Sequence, residues 1–92
     1  MRIVGNISHP DLKITIFKNA GHFSVKCETE MIEQIFKLRD DPYIQSPEDV
    51  KKMFDTEFIR IIETGLKTLS AERESAYTRH FKLPQEGFPE II

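Results

Sequence analysis

Residues 47–69, PEDVKKMFDTEFIRIIETGLKTL, decide the fold of this chain. Apolar side chains recur here three and four positions apart, with charged residues in the gaps. This spacing places the apolar side chains along one side of an α-helix, and a stripe that wide must be covered by other parts of the protein. The preceding third of the chain has the alternating pattern of β-strands, so we expect it to be the cover. The stripe consists of Val50, Met53, Phe54, Phe58, Ile61, Ile62, Leu66 and Leu69.

Two helix starts are visible in this region. Ser46 precedes Pro47, and a serine hydroxyl can cap a helix whose first position is a proline without an N–H. A second cap is possible at Asp55, which favours a short helix followed by a long one. The apolar spacing nevertheless passes through Asp55 unbroken, so one continuous helix is the alternative. We expect Gly65, inside the long helix, to mark close packing against a sheet.

Alternation predicts the strands. Residues 2–7 form a first strand that is broken by Pro10, and residues 12–18 form a second. A three-residue loop with Gly21 in the left-handed region is expected to join the second strand to a third, in which Phe23, Val25 and Cys27 share a face. Residues 30–38 fit either a strand or a helix.

These patterns predict an α+β domain, in which an antiparallel meander of three to four strands is covered on one face by C-terminal helices. We expect a single domain over residues 1–82 and an extended tail over 83–92. The predicted core comprises Ile14, Ile16, Phe23, Val25, Phe36, Val50, Phe54, Phe58, Ile62, Leu66 and Leu69.

Composition limits the classes of protein. With 39% hydrophobic and 30% charged residues, the chain is typical of a soluble domain. It has no apolar run that could span a membrane, its first residues lack the long apolar core expected of a signal peptide, and its one cysteine excludes an internal disulfide. We therefore expect a cytoplasmic protein that binds no membrane. A net charge of −2 argues against nucleic acid as the main partner.

Apolar side chains are also left over at the C-terminal end. A helix from Thr56 to Lys82 would be about 40 Å long, whereas a compact body of this size is roughly 32 Å across. Either the helix breaks near Ser70, or its last turns project and carry Tyr77 and Phe81 into contact with another chain. Phe17 points away from the helices, and we expect it to share the outer sheet face with Ile35 and Val4.

Several segments together resemble a family of small uncharacterised bacterial proteins. The resemblance covers residues 1 to about 70 and implies that residues 30–38 form a further strand. It implies no activity. The segments are His9-Pro10, Lys13-Ile14-Thr15-Ile16-Phe17, Glu33-Gln34-Ile35-Phe36-Lys37, Glu48-Asp49-Val50-Lys51-Lys52-Met53 and Glu57-Phe58.

No group of residues has the pattern of a catalytic, metal or cofactor site. The histidines, His9, His22 and His80, lack the close pairing of zinc ligands. Cys27 alternates with buried residues and is expected to be an inert core thiol. The acidic residues between the third and fourth strands are expected to form a solvated rim, and no glycine-rich phosphate loop is present. They are Glu28, Glu30 and Glu33.

The sequence alone does not identify a function. We expect a non-enzymatic interaction domain without cofactors, forming a homodimer or binding another protein. The alternative is a small-ligand binding protein or enzyme with a pocket between sheet and helices, near Tyr43, Tyr77, His22 or His80. A weaker third hypothesis is binding to a complex that contains nucleic acid. The expected interface residues are Phe17, Tyr77, Phe81, Phe88, Ile91 and Ile92.

Overall fold

A computed structural model describes residues 1–81 of the chain. Four strands precede two helices, so the α+β prediction is confirmed, as are the fourth strand within residues 30–38 and the split into a short and a long helix. The expected interface residues Phe88, Ile91 and Ile92 lie outside the described residues. The elements are β1 (Arg2–Ile7), β2 (Lys13–Asn19), β3 (His22–Glu28), β4 (Glu33–Lys37), α1 (Pro47–Met53) and α2 (Thr56–His80).

The strands form one antiparallel sheet in the order β1-β2-β3-β4. Its inner face packs against the helices, and Ile16 of β2 lies opposite Val25 of β3 on this face. In β1 the register shifts between Ile3 and Gly5, so a β-bulge falls at Val4. The bulge turns Val4 toward the core. The prediction that Val4 shares the outer face with Phe17 was therefore wrong, because Val4 packs against the core and Ile3 pairs with Phe17 instead.

The β2–β3 turn is tighter than the sequence suggested. Asn19 pairs with His22, so the loop has two residues rather than three. Ala20 has a φ of 52° and Gly21 a φ of 88°. Two consecutive positive φ angles are typical of the type I′ turn, whose twist matches that of the flanking strands. Gly21 was correctly assigned to the left-handed region, but the loop length was wrong.

Side-chain caps define both helix starts. The Ser46 hydroxyl accepts a hydrogen bond from the Asp49 amide at 3.3 Å, and the Asp55 carboxylate accepts one from the Phe58 amide at 2.9 Å. Between them the Phe54 amide donates to the Val50 carbonyl and ends α1. The chain thus changes direction at Phe54, with Val50, Phe54 and Ile59 buried and the stripe residues Met53 and Ile61 exposed.

Most of the predicted core is buried. Phe36 and Phe58 are partly buried against the core, and their rings contact Phe54. The predicted burial of Leu69 was wrong. Its side chain is 52% exposed, because the sheet ends before this turn of α2. Ile59 was missed from the predicted core, although it is buried. The buried apolar residues are Leu12, Ile14, Ile16, Phe23, Val25, Cys27, Val50, Phe54, Ile59, Ile62 and Leu66.

Helix α2 runs past the end of the sheet. It has 25 residues and is therefore about 37 Å long. Phe58, near its start, contacts Phe36 of β4, and Glu63 lies 3.8 Å from the imidazole of His9 in the β1–β2 connection. Further along, the Arg73 guanidinium donates to the Met31 carbonyl in the β3–β4 loop at 2.8 Å. Of the two alternatives for this segment, the helix projects and does not break near Ser70.

Gly65 is exposed on α2, and a Cβ atom placed there meets no atom within 4 Å. The expected close packing against the sheet was therefore wrong. An exposed helical glycine costs conformational entropy without any steric return. We expect Gly65→Ala to raise the free energy of unfolding by about 0.5–1 kcal/mol, measured by urea denaturation followed by circular dichroism. Ala71→Gly, at another exposed position of α2, is the converse control: it should lower the free energy of unfolding by a similar amount, and no change for either variant would contradict the explanation.

Candidate interaction surfaces

The spacing of the apolar stripe of α2 continues beyond the body, although two of the later positions, Arg73 and His80, are polar. Its positions alternate by three and four residues, as in the core-facing positions of a coiled coil. The first three, Ile59, Ile62 and Leu66, are buried on the sheet. The next four extend past it, and Ala76 is half-buried while the other three are exposed. We call these four residues the seam: Leu69, Arg73, Ala76 and His80.

Aromatic and charged residues border the seam. The rings of Tyr77 and Phe81 lie 5.6 Å apart at the tip of α2, and Phe81 is 75% exposed. Glu72 and Arg79 occupy equivalent positions one heptad apart on the other border. Within residues 1–81, the hydrogen bond of Arg73 to Met31 is the last polar contact between α2 and the body. The final turns of α2 therefore expose Leu69, Tyr77 and Phe81 beside charged residues of both signs.

A second surface lies on the outer face of the sheet. Phe17 of β2 and Ile35 of β4 both point there, and Ile35 is 46% exposed. They line a cavity of about 810 Å³ that is open to solvent. The Lys26 ammonium lies 5.7 Å from the centre of the Phe17 ring, a cation–π arrangement. We call this cavity the trough and define it by Phe17, Ser24, Lys26, Ile35, Lys37 and Arg39.

The trough combines an apolar floor with a basic rim. Lys26, Lys37 and Arg39 carry three positive charges against the single carboxylate of Glu33. Glu33 is paired in register with Glu28, which is itself 3.6 Å from the Lys26 ammonium. The arrangement is suited to an apolar group that carries negative charge beside it.

The structure separates the three expected interface residues that it describes into these two surfaces. Phe17 lies in the trough, whereas Tyr77 and Phe81 lie at the tip of α2, beyond the opposite end of the sheet. Of the polar residues suggested for a ligand pocket, His22 lines the trough, while Tyr43 and Tyr77 are exposed elsewhere. Glu72, Arg73 and Arg79 were not predicted, because they lie in a polar stretch without an apolar signal. Glu72 and Arg73 follow Leu69 by three and four residues, and Arg79 follows Glu72 by seven, a spacing that could have revealed them.

Cys27 and His9, which were weighed as a nucleophile and as a metal ligand, contribute to the fold. Cys27 is fully buried, and burial raises the pKa of its thiol to about 11, so the reactive thiolate is not populated near neutral pH. The His9 ring accepts hydrogen bonds from the Asp11 and Leu12 amides through Nδ1, which closes the β1–β2 turn. Hydrogen bonds from the Gln45 amide and then from Ser46 lower the pKa of Asp49, which fits its place at the start of α1. Residues 1–81 contain no cluster of metal-ligating side chains.

Comparison with known proteins adds no relative. No family model matches the chain, and neither does any curated protein or solved structure. The resemblance to small bacterial proteins therefore stays a prediction. Within the described residues, no helix has both the length and the apolar character needed to cross a membrane.

Proposed function

We propose that this chain is a non-enzymatic interaction domain that forms a homodimer through antiparallel pairing of the seams of two α2 helices. The observation that carries the proposal is that the three- and four-residue spacing of the buried half of α2 continues into its exposed half, where Leu69 lies on it and Tyr77 and Phe81 lie exposed beside it. A stripe that ends where the sheet ends needs no partner. One that continues for three more turns favours a second helix as its cover.

Charge complementarity favours a second copy as the occupant and selects the register. In an antiparallel pair, equivalent border positions of the two helices face each other. When Arg73 of one copy lies opposite the small Ala76 of the other, Glu72 lies beside Arg79 of the second copy. By symmetry, each dimer then contains two such ion pairs.

Neighbouring arrangements are less favourable. Moving the two helices one heptad further over each other places Glu72 beside Glu72 of the second copy, and moving them one heptad apart does the same for Arg79. Both arrangements bring like charges together, which is destabilising. A parallel pair stacks Arg73 on Arg73. The border charges of α2 therefore support one antiparallel register over its neighbours.

A charge-reversal cycle tests this register. Arg79→Glu replaces both attractions with repulsions, and we expect the dimer to dissociate roughly five- to thirty-fold more readily, a change of about 1–2 kcal/mol. Glu72→Arg should have the same effect, and the double variant Glu72→Arg/Arg79→Glu should restore the wild-type affinity. Analytical ultracentrifugation at low salt measures the dissociation constants, because salt screens exposed pairs.

The matched control is Arg60→Glu, which makes the same change of charge on the solvent face of the same helix. It should leave the dissociation constant unchanged. A wild-type chain that sediments as a monomer at high micromolar concentration would contradict the homodimer. If the double variant is as weak as the singles, the register is wrong.

The alternative function, binding of a small ligand between sheet and helices, has less support. Three phenylalanine rings, Phe36, Phe54 and Phe58, pack within 5.5 Å of one another in that space. The trough, a cavity of about 810 Å³, opens on the other face of the sheet. The apolar floor and basic rim of the trough would suit a small anionic ligand, but the described residues that line the trough are not arranged for catalysis.

A further inference from the structure

We infer that the trough of each copy binds the C-terminal segment, residues 83–92, of the other copy. The inference rests on the proposed antiparallel dimer and extends it to the outer face of the sheet. In this assembly each protomer holds its partner in two places. One is the seam of α2, and the other is the trough.

The chemistry of the segment complements that of the trough. Residues 83–92 read LPQEGFPEII, in which the aromatic Phe88 stands between the carboxylates of Glu86 and Glu90. The trough offers the reverse pattern, with Phe17 and Ile35 on its floor and basic side chains on its rim. Phe88 suits the floor, where aromatic pairs add to the free energy of area burial. The two carboxylates suit the rim of Lys26, Lys37 and Arg39.

The path favours the partner's segment over the chain's own. In the selected register, Phe81 of the second copy lies beside Thr68, near the end of the sheet that carries the β3–β4 loop. From there the segment of the second copy can cross the outer face of the sheet while continuing in the direction of its own α2. The seven residues to Phe88 span up to about 24 Å, which is enough to cross six residues of β-strand at about 20 Å.

The chain's own segment starts in a less favourable place. Phe81 lies eight residues beyond Arg73 and hence about 12 Å past the β3–β4 loop. The segment would have to reverse direction and use half of its reach to return to the sheet. The same residues in the second copy need no reversal.

The size of the seam gives an independent reason for a second contact. Residues 68–81 of one helix cover a strip about 21 Å long and 10 Å wide. This is well below the roughly 800 Å² that each partner usually contributes to a stable interface. The trough lies on the same copy and supplies further apolar area. Binding at both places raises the affinity through the effective concentration of the linked segment.

Tryptophan fluorescence of the full chain tests the inference, since the sequence contains no tryptophan. Phe88→Trp introduces a single reporter in the segment. We expect its emission to be blue-shifted and protected from iodide quenching relative to a free LPQEGWPEII peptide. Adding Ile35→Ser, or independently Lys37→Glu, should shift the emission to the red and remove the protection. Ile61→Ser, on the exposed side of α2, is the control and should change neither property.

Mixing identifies which copy provides the trough. Phe88→Trp/Ile35→Ser protein mixed with excess wild-type protein should regain the blue shift, because its segment then meets an intact trough on the partner. Failure to regain it, emission like that of the free peptide, or a blue shift insensitive to Ile35→Ser and Lys37→Glu would each overturn the inference. Sedimentation of the same samples reports the dimer separately. A dimer in which the introduced tryptophan is unprotected overturns the inference alone, whereas a monomer overturns the proposed function with it.

Discussion

Replacing Phe54 with alanine is expected to lower the free energy of unfolding by about 3–5 kcal/mol. Phe54 is 2% exposed, and its ring lies 5.5 Å from that of Phe36 and 4.9 Å from that of Phe58. It is also one of the two residues between the helices, so its contacts hold both α1 and α2 to the sheet. Domains of this size are stable by roughly 5–15 kcal/mol in total. The loss is therefore a large part of the stability of the protein.

Urea denaturation followed by far-ultraviolet circular dichroism measures this effect. Phe54→Leu keeps most of the buried volume and should lose clearly less stability than Phe54→Ala. Tyr43→Ala removes an aromatic ring that is 85% exposed and should change the stability by no more than about 0.5 kcal/mol. A loss below about 1 kcal/mol for Phe54→Ala would show that the ring cluster does not join the helices to the sheet.

Periodicity and capping made the main features of the fold predictable. The step from Phe54 to Phe58 is four residues, so the stripe stays in phase across the break, and only the cap signal of Asp55 revealed the second helix. Alternation similarly placed Phe17 on the face opposite to Ile16. Both signals are local, depending on residues a few positions apart, and they survive in the folded chain because the core enforces them.

The errors arose where geometry depends on distant parts of the chain. Leu69 belongs to the stripe by spacing, yet its burial depends on how far the sheet reaches beneath α2. Gly65 was assigned to a close contact that α2 does not make. The bulge at Val4 turns this side chain to the inner face of the sheet, and the alternation of apolar residues in β1 gives no sign of it. None of these three features can be read from local sequence patterns, because each depends on residues far apart in the chain.

The candidate surfaces were only partly predictable for a related reason. Phe17 and Ile35 were recognised because alternation separates the two faces of a sheet. The seam was not recognised, because two of its positions carry the polar residues Arg73 and His80, and these hid the regular spacing. Their significance depends on the length of α2 relative to the sheet, which is a property of the folded chain.

The two leucines Leu66 and Leu69 separate folding from association. They lie three residues apart on the same stripe, but Leu66 is 3% exposed and Leu69 is 52% exposed. We expect Leu66→Ala to lower the free energy of unfolding by about 2–5 kcal/mol at every protein concentration, because it leaves a cavity in the core. Alanine is the better helix former, so the loss does not come from helix propensity.

Leu69→Ala should instead weaken association and leave the folding of the single copy almost unchanged. Below the dissociation constant of the dimer, it should change the stability by no more than about 0.5 kcal/mol, since the side chain makes few contacts in the single copy. Above that concentration the wild-type protein gains stability from association and the variant gains less, so the difference should grow with concentration. Urea denaturation across a concentration series, with sedimentation of the same samples, measures both effects. An equal loss for the two leucines at all concentrations would mean that the exposed half of α2 is stabilised within one copy, and the seam would then have no role in pairing.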